Sequence, residues 1–469
     1  MHADANRDRL LNAPLVRLFP KLALPIALGL LVHGLYSFVD AIFVARFIGT
    51  VEFGGVSAAF PVYMLLIALN SAIGSGMASL VARQLGANDR AGAHQTFNTT
   101  LLFAAVFGAA LGALLWFGQS QLFEWMALPE ALRTSAREYL TPITAVAAIS
   151  FVSGVLSDGL RAMGEMPRVM RLMLFSALLN IALDALFIVV FGWGVPGVAW
   201  ATVVTIVVTL LYAAFLFHRR TYPAQPDRTA MRWHWPTVRQ VVVLGAPVVL
   251  SHTGYAVGIA AINIATTHAA PAADADLWIS ANGVIQRVFM LLFLPVMGMM
   301  IALQTLAGYN YGAGQHQRVR QALTVALGYS ALYTVPIALV MVISPHTVFA
   351  IFGDDAALMQ TSEIIARVVY LSFPLIGVIL MVPALMQATG HALVAVALYA
   401  THTWLIMLPV LTTFTLSYQL PGVRWALPVT DTLSVLVMVL TYLIVFRDHP
   451  STRAAATPTT VAARGAPGR

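Results

Sequence analysis

Long apolar runs alternate with short polar connections along this chain, and within the runs polar and apolar positions do not alternate in pairs. Runs of about 20 residues or more, the length that crosses a hydrocarbon core as a helix, recur twelve times. They fall at 18–46, 53–82, 97–118, 139–160, 169–191 and 196–217, then at 239–268, 278–307, 321–344, 364–387, 392–417 and 424–446. Barrel strands would be about half as long and would alternate. The pattern therefore predicts an all-α membrane protein of twelve transmembrane helices.

Composition agrees with this reading. Hydrophobic residues make up 59% of the 469 residues and charged residues 10%, with a mean hydropathy of +0.82, whereas soluble domains carry about a quarter charged residues. Residues 1–12 are polar and lead into a full-length apolar run, so no cleavable leader is expected and the first span is retained. With no cysteine, disulfides, thiolate metal sites and cysteine nucleophiles are excluded.

A net charge of +7 suggests nucleic acid, but the basic residues lie in short loops without interleaved aromatics. No nucleic-acid partner is expected. With the N-terminus cytoplasmic, basic residues favour that side roughly four to one, which places both termini in the cytoplasm of a multi-pass inner-membrane protein.

The longest polar connection holds Pro223, Pro226 and Pro236 and divides the spans six and six. The expected units are a cytoplasmic N-terminal segment (1–17), an N-lobe (18–218), a cytoplasmic linker (219–237), a C-lobe (238–446) and a disordered cytoplasmic tail (447–469). The halves are related. Pro25 matches Pro247, Gly86-Ala87 matches Gly312-Ala313, Ala162-Met163-Gly164 matches Ala388-Thr389-Gly390, and Gly197 to Ala201 matches Gly422 to Ala426. An even number of spans per half makes these parallel repeats about an axis along the membrane normal, with substrate binding between them.

Candidate chemistry centres on 178–202. Asn180 and Asp184 share a helix face four residues apart, and Thr202 enters the next helix after the Gly192 to Gly197 turn. Helical rise puts Asp40, Asp184 and Thr202 at a common depth of about 10 Å below the outer surface, with Asn180 one turn deeper. Four such oxygen-bearing side chains suit a hard monovalent cation, or a proton shared between carboxylates, one of which should then ionise with difficulty. Intramembrane acids mark ion pathways; the alternative is interhelical hydrogen bonding.

His33 and Tyr36 precede Asp40 on its face and offer either a proton relay or simple packing. Arg287 of helix 8 either contacts an anionic group or closes an internal ion pair. Asp431 of helix 12 is its partner or a second protonatable site. Asp158 and Arg161, near the cytoplasmic end of helix 4, read as an interfacial pair. His252, His268 and His402 lack metal-ligand spacing. No phosphate-binding loop, zinc-protease motif or nucleophile elbow occurs, so no enzyme activity and no cofactor is expected.

Two stretches carry a family resemblance. LPVMGMMIALQTLAGYNYGAGQHQRVRQAL from Leu294, with Arg287 before it, resembles the segment after helix 8 of bacterial multidrug and toxic compound extrusion (MATE) transporters. VDAIFVARFIG from Val39, GLRAMG from Gly159 and LNIALDALFI followed by GVAWAT are similar to that family's N-lobe. The resemblance implies a V-shaped pair of six-helix lobes exchanging a substrate for H⁺ or Na⁺ by alternating access. It implies that the N-lobe cation site falls on Asp40, Asn180, Asp184 and Thr202. Helices 7, 8 and 10 have no acid in their membrane interiors, which implies coupling through the N-lobe, as in the DinF-like branch. The expected protein is a monomeric antiporter in contact with lipid, exporting amphipathic cationic compounds. The alternative is a flippase for lipid-linked or polyprenyl-phosphate substrates, which would need a cationic cavity.

Overall fold

The computed structural model describes residues 2–126, 128–219, 222–271, 273–349 and 355–447, and leaves undescribed the side chains of residues 2–4, 36–42, 44–46, 50, 51 and 53. The expected tail lies, from residue 448 on, outside the described residues. The first half comprises α1 (His2–Asn12), α2 (Leu15–Phe47), α3 (Thr50–Gly86), α4 (Arg90–Trp125), α5 (Glu130–Ala145), α6 (Ala147–Ala162), α7 (Met166–Asp184) running into a π turn (Ala185–Val190), and α8 (Val195–His218). The second half begins with α9 (Trp235–Ala269), α10 (Ala275–Gly312), α11 (His316–Ile343) and the short α12 (His346–Phe349). It ends with α13 (Ala356–Val369), a 3₁₀ turn (Tyr370–Leu375), α14 (Ile376–Ala388), α15 (Ala392–Ala400), a π turn (Thr401–Met407) and α16 (Leu408–Arg447).

Among the described residues, ten helices are long and apolar enough to cross a membrane, or eleven if the pair α5 and α6, bent by 57°, forms one span. That bend divides the helix expected at 139–160 into two pieces. Pro142 removes a helical N–H, and Val146 (φ −102°, ψ 13°) breaks the path between the two pieces. The stretch from Ala392 to Phe446 has 55 residues in helical form. One straight helix of that length would be about 80 Å long, against a hydrocarbon core of about 30 Å. It is interrupted instead at Gln419 (φ 56°, ψ −137°), and α16 packs back on the π turn at Thr401–Met407. Gly194 has nearly the same conformation (φ 60°, ψ −137°) before α8. One reversal thus occurs in both halves, on glycine in the first and on glutamine in the second. The positive-φ pairs Asn88 with Gly314 and Gly164 with Gly390 are separated by equal intervals.

The halves meet through α2 lying along α10, α3 along α9, and α3 against α10. At the ends of α3 and α10 the contact is reciprocal. A Cβ on Gly86 would overlap the Tyr309 carbonyl, and a Cβ on Gly312 would overlap the Arg83 carbonyl. Arg83 to Tyr309 is the same interval as Gly86 to Gly312, so this is one contact made twice. It lies at the side of the molecule that carries Arg83, Arg161, Arg168 and Arg318, called here the arginine-rich side.

Two connecting segments are more ordered than their polarity suggests. The N-terminal segment forms α1, with Leu10 and Leu11 buried. The linker is fastened to α4. The Asn98 side chain donates to the Gln225 carbonyl (2.9 Å) and accepts from the Asp227 N–H (2.8 Å), and Thr99 donates to the Arg232 carbonyl (3.1 Å). Tyr222 and Ala224 are buried. The Thr229 hydroxyl and N–H hold the Asp227 carboxyl below its ordinary range.

Gly86→Ala and Gly312→Ala should each lower the melting temperature in detergent, by the equivalent of about 1–3 kcal/mol of overpacking. Gly118→Ala, whose added Cβ meets nothing within 4 Å, should leave it unchanged or raise it slightly.

Candidate functional site

A cavity of about 140 Å³ opens within the first half, bounded by α2, α3, α5, α6, α7 and α8. Its walls include His33, Asn70, Ser150, Asn180, Thr202 and Thr205. These polar groups converge because α7 brings Ser176, Asn180 and Asp184 to one face at four-residue spacing, while α8 turns Thr202 and Thr205 toward it. The Thr202 hydroxyl donates to the Val198 carbonyl one turn back (3.1 Å), which leaves its lone pairs free to accept.

The structure brings Asn180 and Thr202 to the same cavity from neighbouring helices. Asp184 stands one turn further along α7, fully buried, with both carboxylate oxygens shielded from solvent. It is the last α-helical residue before the π turn. Inserting one residue there moves the following side chains about 100° out of phase. The stretch beyond Asp184 therefore faces outward, with Val189, Val190 and Phe191 exposed. His33 also lines the cavity. Tyr36 and Asp40 lie outside the residues whose side chains are described. Amide and hydroxyl oxygens beside a buried carboxylate suit a proton or a small hard cation. Among the described residues no group of three or more His, Asp or Glu could hold a metal ion.

The second half differs. The positions matching Asn180 and Asp184 are Ile406 and Val410. Arg287 and Asp431 do not pair. Asp431 accepts a hydrogen bond from Ser372 (2.6 Å), while Arg287 is exposed and bonds to no other described residue. Of the two readings of Asp431, partner of Arg287 or second protonatable site, the first finds no ion pair among the described residues, and a nearby hydroxyl meets the carboxylate instead. His252 and His268 each bond to a carbonyl one turn back, and His402 bonds to Ser434.

Asp158 and Arg161 correct the reading of an interfacial pair. Arg161 is buried and donates to Asp158 (2.8 Å) and to Gln304 of the other half (2.9 Å). Gln304 donates to Gln387 (2.7 Å), and the Gln387 carbonyl accepts from Ser79 (2.9 Å). The guanidinium is thus the end of a polar chain joining α3, α6, α10 and α14. The repeat carried a signal for it. Arg161 precedes Ala162-Met163-Gly164 as Gln387 precedes Ala388-Thr389-Gly390, so the two occupy matching places and converge on Gln304.

Gln304→Leu leaves a buried guanidinium N–H and a buried amide unsatisfied. It should destabilise the protein by about 2–4 kcal/mol in a detergent melt. Asp158→Asn, at a partly exposed position, should cost less.

The family model MatE matches residues 25–186 and 259–413. A probable multidrug resistance protein of Bacillus subtilis, YoeA, is 23% identical over 92% of this chain and 94% of its own length. The multidrug export protein MepA of Staphylococcus aureus is 24% identical over 92% of this chain and 95% of its own. An FAD transporter of Shewanella oneidensis is 23% identical over 91% of this chain and 94% of its own. Among solved structures, an outward-facing multidrug resistance MATE family transporter of the MOP superfamily superposes with a TM-score of 0.87 at 24% identity, over 94% of this chain and 97% of that one. A MOP superfamily transporter from Pyrococcus furiosus gives 0.86 at the same identity and coverage.

Proposed function

The chain belongs to the MatE family, and from that premise we propose that it is a secondary antiporter that exports amphipathic cationic compounds in exchange for H⁺ or Na⁺. It is a transporter rather than an enzyme, and it needs no cofactor beyond the coupling ion. Twelve spans in two six-helix lobes result when α5 with α6, and α13 with α14, each count as one span and the helical stretch from Ala392 is divided at Gln419. The arginine-rich side faces the cytoplasm, in keeping with the positive-inside rule. On that orientation the contact of α3 with α10 lies at the cytoplasmic ends of the lobes, as an outward-open state would require.

The observation that carries the reading is a buried carboxylate, Asp184, beside a polar cavity of the first half lined by Asn180 and Thr202. Asp40 would complete the site, an arrangement like that of the DinF-like branch. Binding of a proton or Na⁺ neutralises a charge held in low dielectric, and the lobe equilibrium shifts by the difference in ion affinity between the two states. His33 and Tyr36 would serve the proton's path. Asp431, bonded to Ser372, lies in the second lobe away from this cavity. One observation favours a second reading. Arg287, exposed and unpaired among the described residues, offers a cation to a phosphate-bearing amphiphile, as a flippase or an exporter of anions would require.

Inside-out vesicles containing the protein should accumulate a fluorescent cationic dye when a pH or a Na⁺ gradient is imposed separately. Asp184→Asn should reduce uptake to the level of empty vesicles. Asn180→Ala and Thr202→Ala should each weaken ion dependence by about tenfold, the equivalent of about 1.4 kcal/mol. Normal transport by Asp184→Asn and Asp40→Asn would overturn the coupling site. Uptake of FAD or turnover of a lipid-linked phosphate, lost in Arg287→Gln, would replace the cationic substrate with the second reading.

A further inference from the structure

Helix α1 lies beneath the crossing of the two halves and is bonded to both. Toward the first half, Arg7 donates through Nε to the Leu85 carbonyl (3.0 Å) and through Nη2 to the Gly86 carbonyl (2.8 Å). These are the last carbonyls of α3, where the helix dipole favours a cation. Asn6 donates to the Met163 carbonyl just past α6 (3.0 Å). Leu10 is fully buried and packs over Gly164, the positive-φ residue that ends that turn. Toward the second half, Asn310 of α10 donates to the Leu10 carbonyl (3.3 Å), and Arg318 of α11 donates to the Ala13 carbonyl (2.5 Å).

Gly86 is both an acceptor for Arg7 and one side of the reciprocal contact with Tyr309. Parting the halves at this side would draw Asn310 and Arg318 away from Leu85 and Gly86, and α1 spans the gap between them. It can follow only one half. By the register that matches Pro25 with Pro247, the equivalent segment before α9 is the linker, which is fastened to α4 instead. The device is therefore single.

We propose that α1 is a strap that holds the two halves together at the arginine-rich side, and that its release from one half accompanies opening of that side. The inference rests on the alternating-access reading above. Its function is to set the resting balance between the closed and open forms of this side, independent of which compound is carried.

The chain has no cysteine, so two can be placed at will for spin labelling. Ala87→Cys and Gln317→Cys put labels on exposed positions at the ends of α3 and the start of α11, one on each half. Pulsed dipolar distances in liposomes give the populations of closed and separated forms. Asn6→Ala with Arg7→Ala removes the strap's side-chain bonds to the first half and keeps the helix. It should raise the ratio of separated to closed forms by about tenfold, as expected for the loss of charge-assisted and neutral hydrogen bonds. Deletion of residues 2–12 should shift it at least as far. Arg9→Ala, an exposed residue of the same charge with no described partner, should leave the distribution unchanged.

Distances in Asn6→Ala, Arg7→Ala that match those of Arg9→Ala, while substrate or a pH change still moves the unmodified pair, would overturn the strap. A labelled pair that gives one distance in every variant and condition would instead overturn the alternating-access reading.

Discussion

The close approach of α3 and α10 at the arginine-rich side is the constraint on which the arrangement of the two halves depends. In a membrane, water cannot drive helices together, so association relies on backbone proximity and on polar groups that find partners. Gly86 and Gly312 provide the proximity and the Arg161, Gln304, Gln387 chain provides the partners. Both lie at the same end of the molecule. Because the contact is made twice, by Gly86 on Tyr309 and by Gly312 on Arg83, its two members have to form and break together. The symmetry is incomplete in one respect. Gln304 receives an arginine from the first half and a glutamine from the second, so this polar chain carries one guanidinium where strict duplication would give two or none.

The helical architecture and the duplication were legible in the sequence because hydropathy and small-residue punctuation are local signals. Gly86 and Gly312, Gly164 and Gly390, and the tryptophan-bearing starts of α8 and of the last span could be aligned by eye. So could the placement of Asn180 and Thr202, since four-residue spacing alone puts α7 side chains on one face. The features that were not legible depend on tertiary contact. Arg161 near a helix end has the pattern of an interfacial charge, and only the crossing of the halves buries it. Residues 1–12 are polar in composition, yet two leucines and the side-chain bonds of Asn6 and Arg7 dock them. The 57° bend between α5 and α6 follows from Pro142 and Val146 together.

Duplication also shows how a scaffold and a site can separate. The backbone reversal before α8 and that within the stretch from Ala392 are nearly superimposable in φ and ψ, yet only the first uses glycine. A glutamine held in a glycine-like conformation costs about 1–3 kcal/mol, which the packing of the second half sustains. In parallel, α7 keeps Asn180 and Asp184 while the matching residues became Ile406 and Val410. The π turns do not coincide, since Ala185–Val190 follows Asp184 whereas Thr401–Met407 precedes Val410. The reversal at Gly194 and Gln419 therefore belongs to the shared scaffold, and the carboxylate belongs to one copy of it.

The linker's attachment to α4 has a kinematic consequence. A free connection of such length would act as a slack tether, letting the halves slide as well as tilt. With Gln225, Asp227 and Arg232 held by Asn98 and Thr99, only two residues separate the last anchored position from Trp235, where α9 begins. The start of α9 is then a pin joint mounted on the first half. Relative motion about such a joint is rotation with almost no translation of the start of α9, so this side opens by turning about that point rather than by the halves drawing evenly apart.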